Sequence, residues 1–127
     1  MKAITNTMTN GEIYQYAVAL MNAGFNDNEV YMPAAVSFAI QKNKTVLTET
    51  AEDVEKGRMA IIEHYSNGQT EEGYTIPPEA VEKANSELTD LLNIEQEIKI
   101  YMFDIDALND IKLTSAQMQA IMFMIED

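Results

Sequence analysis

The stretch Pro33 to Tyr65 constrains this chain most, because its core-forming positions step by four and three residues throughout without losing phase. Val36, Ile40, Asn43, Leu47, Thr50, Val54, Gly57, Ile61 and His64 define a seam near the 3.5-residue period that suits helix-on-helix packing. One edge of the seam, Ile40, Leu47, Val54 and Ile61, is wholly apolar. The other, Val36, Asn43, Thr50, Gly57 and His64, turns small and polar after its first member, which admits close backbones or hydrogen-bonding partners. At about 1.5 Å per residue one helix over this span is roughly 45 to 50 Å long, more than a compact domain of this size needs. The seam therefore serves either a homo-oligomer, most simply a dimer, or an internal core built with the helices before and after it.

The flanking segments have their own punctuation. Thr9 and Glu12 form a capping box, and Ile13, Tyr16, Ala17, Leu20 and Met21 repeat at helical spacing until Gly24. Phe25 to Asn28 reads as loop and Val30-Tyr31-Met32 as a short extended piece, with Pro33 in the first turn of the long helix. Ser66-Asn67-Gly68 ends that helix, and the polar segment Gln69 to Thr75 reads as a loop or a small hairpin leading into Tyr74-Thr75-Ile76. A third helix is predicted from about Pro78 to Asn93, with Val81, Ala84, Leu88, Leu91 and Leu92 on one stripe and acids opposite. The period then changes to two: Ile94, Ile98, Ile100 and Met102 share one face of a strand, and Lys99, Tyr101 and Phe103 the other. Large side chains on both faces predict a central strand, paired with Val30-Met32, Tyr74-Ile76 or Ala3-Ile4-Thr5. Asp104 to Lys112 is rich in turn residues, and a second capping box, Thr114 with Gln117, opens a closing helix carrying Met118, Ile121, Met122, Met124 and Ile125. The expected fold is α+β within a single domain, residues 1–127. It is mostly helical, with one long central helix, shorter flanking helices and a small antiparallel sheet.

Charge is unevenly spread. The net charge is −13, yet residues 1–48 balance three acids (Glu12, Asp27, Glu29) against three lysines (Lys2, Lys42, Lys44). Between Asn67 and Glu97 eight acids, Glu71, Glu72, Glu79, Glu82, Glu87, Asp90, Glu95 and Glu97, face the single Lys83. A nucleic-acid binder neutralises phosphates with clustered Lys and Arg, and this chain has one arginine, Arg58, so direct nucleic-acid binding is not expected. The acids instead fit either a solvated face or the basic surface of a partner protein, with Glu71, Glu72, Glu79, Glu82 and Asp90 as the partner-binding residues. The chain has no cysteine, which removes disulfides, thiolate nucleophiles and cysteine-ligated zinc together and suits a reducing compartment. Met1 to Thr9 has no apolar core of signal-peptide length, and no apolar run approaches a membrane span, so no membrane association is expected.

Catalytic signatures are missing. His64 is the only histidine, at the end of the long helix, where the dipole favours a capping role, and no nucleophile accompanies it. Asp104, Asp106, Asn109 and Asp110 invite comparison with a calcium loop, but Leu108, Asn109 and Ser115 stand where an oxygen ligand, a glycine and a bidentate glutamate are needed. Asp104 and Asp106 read more simply as caps of a turn. The five glycines are scattered and form no phosphate loop. A small nucleotide bound without hydrolysis needs only stacking and a few donors, for which Arg58, Tyr65 and Tyr74 are the candidate ligand-binding residues, with Tyr101 and Lys99 in support. Neither an enzyme nor a cofactor or metal is expected. The closing helix becomes an adaptable docking face if its methionines point outward.

The order of segments resembles a group of small uncharacterised acidic proteins from phages and prophages of Gram-positive bacteria. Leu20, the run Val36-Ser37-Phe38-Ala39-Ile40-Gln41-Lys42-Asn43, the run Asn85 to Asn93 leading into Glu97-Ile98-Lys99-Ile100, and Leu113-Thr114 to Met124-Ile125 carry it. The resemblance spans nearly the whole chain. It implies a role in the host bacterial cytoplasm, either as a non-enzymatic antagonist of a bacterial defence protein or as a virion assembly accessory. A sponge that sequesters a signalling nucleotide is a further alternative.

Overall fold

A computed structural model describes residues 2–25, 31–71 and 73–126. The chain opens with strand β1 (Lys2–Thr9), then helix α1 (Asn10–Asn22) and the long helix α2 (Ala34–Tyr65). A two-rung hairpin follows, β2 (Gln69–Thr70) and β3 (Gly73–Tyr74), then helix α3 (Pro78–Asn93) and strand β4 (Glu95–Asp104). A 3-10 turn at Ile105–Leu108 leads to the short helix α4 (Ser115–Ile121), a second 3-10 turn at Met122–Met124, and strand β5 (Ile125–Glu126). The fold is α+β, mostly helical, around one long helix.

Both capping boxes form. The Thr9 hydroxyl accepts from the Glu12 N–H at 3.1 Å while the Thr9 N–H donates to the Glu12 carboxylate, and Thr114 and Gln117 repeat the exchange at the start of α4. Gly24, at φ +84°, supplies the left-handed residue just past the end of α1. Pro33 lies just outside α2 as its N-cap residue.

The sheet runs in the order β1-β4-β5, so β4 is central, as its two large-residue faces imply. Its antiparallel partner is β1, which contains Ala3-Ile4-Thr5, in the register Ala3↔Tyr101, Thr5↔Lys99, Thr7↔Glu97. Tyr74 pairs instead within the hairpin, and Val30 lies outside the described residues. The pairing of β4 with β5 is parallel, so the sheet is mixed and not purely antiparallel. The closing helix is shorter than its apolar spacing suggests: it ends at Ile121, tightens into a 3-10 turn and extends, because Ile125 pairs with Phe103.

Met8, Ile98 and Ile100 from the inner sheet face meet Ile13, Ala17 and Leu20 of α1, Val36, Ala39, Ile40, Leu47 and Ala51 of α2, and Ala120, Ile121 and Met124 in one core. On α2 the fully buried positions include Val36, Ile40, Asn43, Leu47, Ala51 and Val54, the 3.6-residue spacing of a straight helix. Ala51 therefore replaces Thr50 in the stripe, and His64 is exposed. The apolar edge Ile40, Leu47 and Val54 is buried inside the chain itself, so it is not a face offered to a second copy.

Two buried asparagines fix how the layers meet. Asn43 Nδ2 donates to Tyr101 O at 2.9 Å, and the Tyr101 N–H donates to Asn43 Oδ1 at 2.8 Å. In an antiparallel ladder the N–H and C=O of one residue point to the same side. Those of Tyr101 turn away from β1, toward the edge where β5 is too short to reach, and the Asn43 carboxamide takes the place of a strand's peptide there. The second asparagine, Asn10, ties α3 to the start of α1. Its N–H donates to Ile94 O and its Nδ2 to Leu91 O, both at 2.9 Å, while Gln96 Nε2 donates to its Oδ1.

Candidate functional site

The helix α3 and the end of α2 that it packs on carry the acidic face. A Cβ built on Gly57 would stand 3.3 Å from both methyl carbons of Leu91, so the two helices approach closely at this point. Burial on α3 is nonetheless thin. Ala84 is 1% exposed, but Val81, Leu92 and Ile94 remain 40%, 41% and 51% exposed, and Leu88 and Leu91 are half-buried. Across the helix from this stripe Glu79, Glu82 and Asp90 are exposed, and the exposed Glu87 is turned toward Tyr65 of α2. Glu71 is exposed in the turn between β2 and β3, and Glu72 lies outside the described residues. Of the five acids expected to bind a partner, α3 thus displays three, Glu79, Glu82 and Asp90, on one helix.

Arg58, Tyr65 and Tyr74 do not form a shared cradle. Each faces a carboxylate of its own. Arg58 Nε and Nη2 clamp Glu55 at 2.9 and 2.6 Å, a bidentate pair that holds the Glu55 carboxyl below its ordinary range against a small opposing push from desolvation. The Tyr65 hydroxyl bonds to Glu87, and the Tyr74 hydroxyl donates to Glu63 at 3.0 Å. Both phenols titrate above their ordinary value, first because the carboxylate bonds the protonated form, then through slight burial and repulsion of the phenolate by the same carboxylate. A phosphate approaching these residues meets Glu55, Glu63 and Glu87 before it meets a free donor. His64 packs edge-on to Tyr65, ring centroids 4.8 Å apart.

The turn after β4 behaves as a turn: Asp104 accepts from the Asp106 N–H at 2.9 Å. Among the described residues no three His, Asp or Glu side chains converge as metal ligands, and no helix is long and apolar enough to cross a membrane. Asn43-Lys44-Thr45 has the spacing of an N-glycosylation sequon, but the Asn43 carboxamide is buried and bonded to Tyr101.

The methionines of the closing segment differ in direction, and Met124 is fully buried. Met118 and Met122 point outward, Met122 at 62% exposure, and with Ile105 and Ile125 they line a shallow apolar groove of about 290 Å³. A second groove, about 160 Å³, runs between α1 and α2 over Tyr14, Met21, Thr48, Ala51, Glu52 and Glu55. Its signal in the sequence is faint, because Tyr14 and Met21 on α1 face it from beside the core stripe. Comparison of the chain with protein-family models, with curated proteins and with solved structures finds no match to any of them.

Proposed function

We propose that the chain is a non-enzymatic binding protein that covers a basic surface of a partner with the outer face of α3. One observation carries this reading: Val81, Leu92 and Ile94 are exposed on and just beyond a helix that also displays Glu79, Glu82, Glu87 and Asp90. The acids supply the steering charge that brings a basic partner in, and the half-covered apolar stripe adds area that the partner can bury. The engagement of Arg58, Tyr65 and Tyr74 with carboxylates favours this over the nucleotide sponge. The finer version, a phage-encoded antagonist acting on a bacterial defence protein in the host cytoplasm, rests on the sequence resemblance alone. The assembly-accessory alternative uses the same surface with a virion protein as partner.

The test is capture of partners from infected and uninfected Gram-positive lysate, followed by affinity measurement on the recovered partner at rising salt. A basic protein whose binding weakens steeply with salt, and is lost when Glu79, Glu82 and Asp90 are changed to lysine in a chain with unchanged circular dichroism, fits the proposal. Binding indifferent to salt and to those changes overturns it. A defence protein as prey supports antagonism, and virion proteins support the assembly role.

A further inference from the structure

We infer that β1 is the self-association edge of this protein, pairing antiparallel with β1 of a second copy about a two-fold axis at Thr5. Even-numbered residues of β1 turn their backbone groups to β4, as the bond from the Asn10 N–H to Ile94 O at the end of the ladder shows. Odd-numbered residues turn theirs outward. The Tyr101 backbone bonds Asn43 and so faces away from β1, and its cross-strand partner Ala3 faces away from β4 for the same reason. The outward Thr9 N–H is already taken by the Glu12 carboxylate in the capping box, which ends the free edge. Ala3, Thr5 and Thr7 remain, three residues whose N–H and C=O groups point outward past the sheet.

That edge suits a second copy for reasons of charge and shape. In a chain of net charge −13, β1 holds no acid, so two copies repel each other least along it. It has no proline, bulge or mid-strand charge, the devices that keep edge strands apart. With Thr5 opposite Thr5 of the second copy, Ala3 faces Thr7 and Thr7 faces Ala3. All three are hydrogen-bonded pairs of small side chains, and a threonine pair is a favourable cross-strand neighbour. The result is one continuous sheet, β5-β4-β1 and its symmetric continuation. A ladder this short buries less than a standard interface, so the dimer forms in proportion to concentration.

Light scattering across a concentration series, on the wild type and on Thr5→Pro, is the test. Proline at Thr5 removes an N–H that β4 does not use, so the fold is retained and the edge is blocked. The expected result is a mass rising from 14.3 kDa toward twice that value in the wild type and fixed at the monomer in Thr5→Pro. Should Thr5→Pro fail to fold, Thr5→Cys decides. Cα atoms in such a pair are about 5.5 Å apart, within disulfide range, and the chain has no other cysteine, so mild oxidation yields a cross-linked dimer. Ala3→Cys, facing Thr7, cross-links poorly in the same register. A wild type that stays monomeric at every concentration, a Thr5→Pro that still dimerises, or cross-linking favoured at Ala3 each overturns the inference. A monomeric wild type whose partner binding is lost in Thr5→Pro gives the edge to a foreign strand instead.

Discussion

The two ends of α2 carry the same kind of sequence and have different fates. From Ala34 to Val54 the helix buries seven side chains, and from Glu55 to Tyr65 it buries none. The apolar stripe does not lapse, since Ile61 and Ile62 continue it, but what lies opposite does. The first part rests on β4 and α1, with Met124 against Asn43, which gives it a full second layer. The last part rests on α3 and the hairpin, and a pair of helices open to water on their outer sides leaves both stripes half covered. Periodicity therefore specifies which face of a helix is available for burial, and the rest of the fold decides whether that face is covered.

Aspartate at matched positions in the two ends provides the sharpest break. Leu47→Asp places an unpaired charge at a fully enclosed site, costs about 5 kcal/mol or more, and is expected to leave no cooperative urea transition. Ile61→Asp is expected to cost about 1 kcal/mol, and equal losses would erase the distinction. Next in size, Asn43→Leu leaves the Tyr101 N–H and C=O buried without partners and is expected to lose roughly 3 kcal/mol by the same denaturation. Asn10→Ala is expected to lose about 1 to 2 kcal/mol, with amide exchange quickening in α3 ahead of α1 and β4.

The smallest effect is one of pH. The Tyr65 and Tyr74 phenols are raised in the folded chain, so the stabilisation they give is complete below the ordinary tyrosine value of 10.0 and is lost as pH rises through their folded values. Above about pH 10 exchange should rise in α3 and the hairpin while the β1–β4 ladder is unchanged, and Tyr65→Phe with Tyr74→Phe should flatten the response. Loosening that begins in the ladder would contradict the assignment of these bonds to the weaker end.

Elements with local instructions could be read from the sequence. Both capping boxes, the glycine after α1 and the bounds of α3 follow from short-range chemistry, and the β4 alternation shows through because its inward residues are large. β1 is harder to see, since Ile4, Asn6 and Met8 point inward with a polar residue in the middle. The closing segment reads as helix through Ile125, and only the distant Phe103 draws Ile125 into extension. Thr50 and Ala51 show the limit of a period: both are small, and the choice between 3.5 and 3.6 residues per repeat depends on whether the partner supercoils or stays straight. Of the site, the acids of α3 were legible as a charge cluster. The Arg58–Glu55 pair follows from helical spacing of three residues, but that Tyr65 and Tyr74 each face a carboxylate was not legible, because those bonds join neighbouring elements whose docking no local pattern specifies.

Asn43 also gives the long helix a single seat. A carboxamide that must meet both the N–H and the C=O of one residue tolerates no axial slip, and a shift of one turn, about 5.4 Å, would bring Ala39 or Leu47 to that place with nothing to offer. The helix is thus measured from one point. Where Gly57 meets Leu91, and how far Tyr65 reaches toward Glu87, are distances counted along α2 from a bond at the opposite end of the molecule.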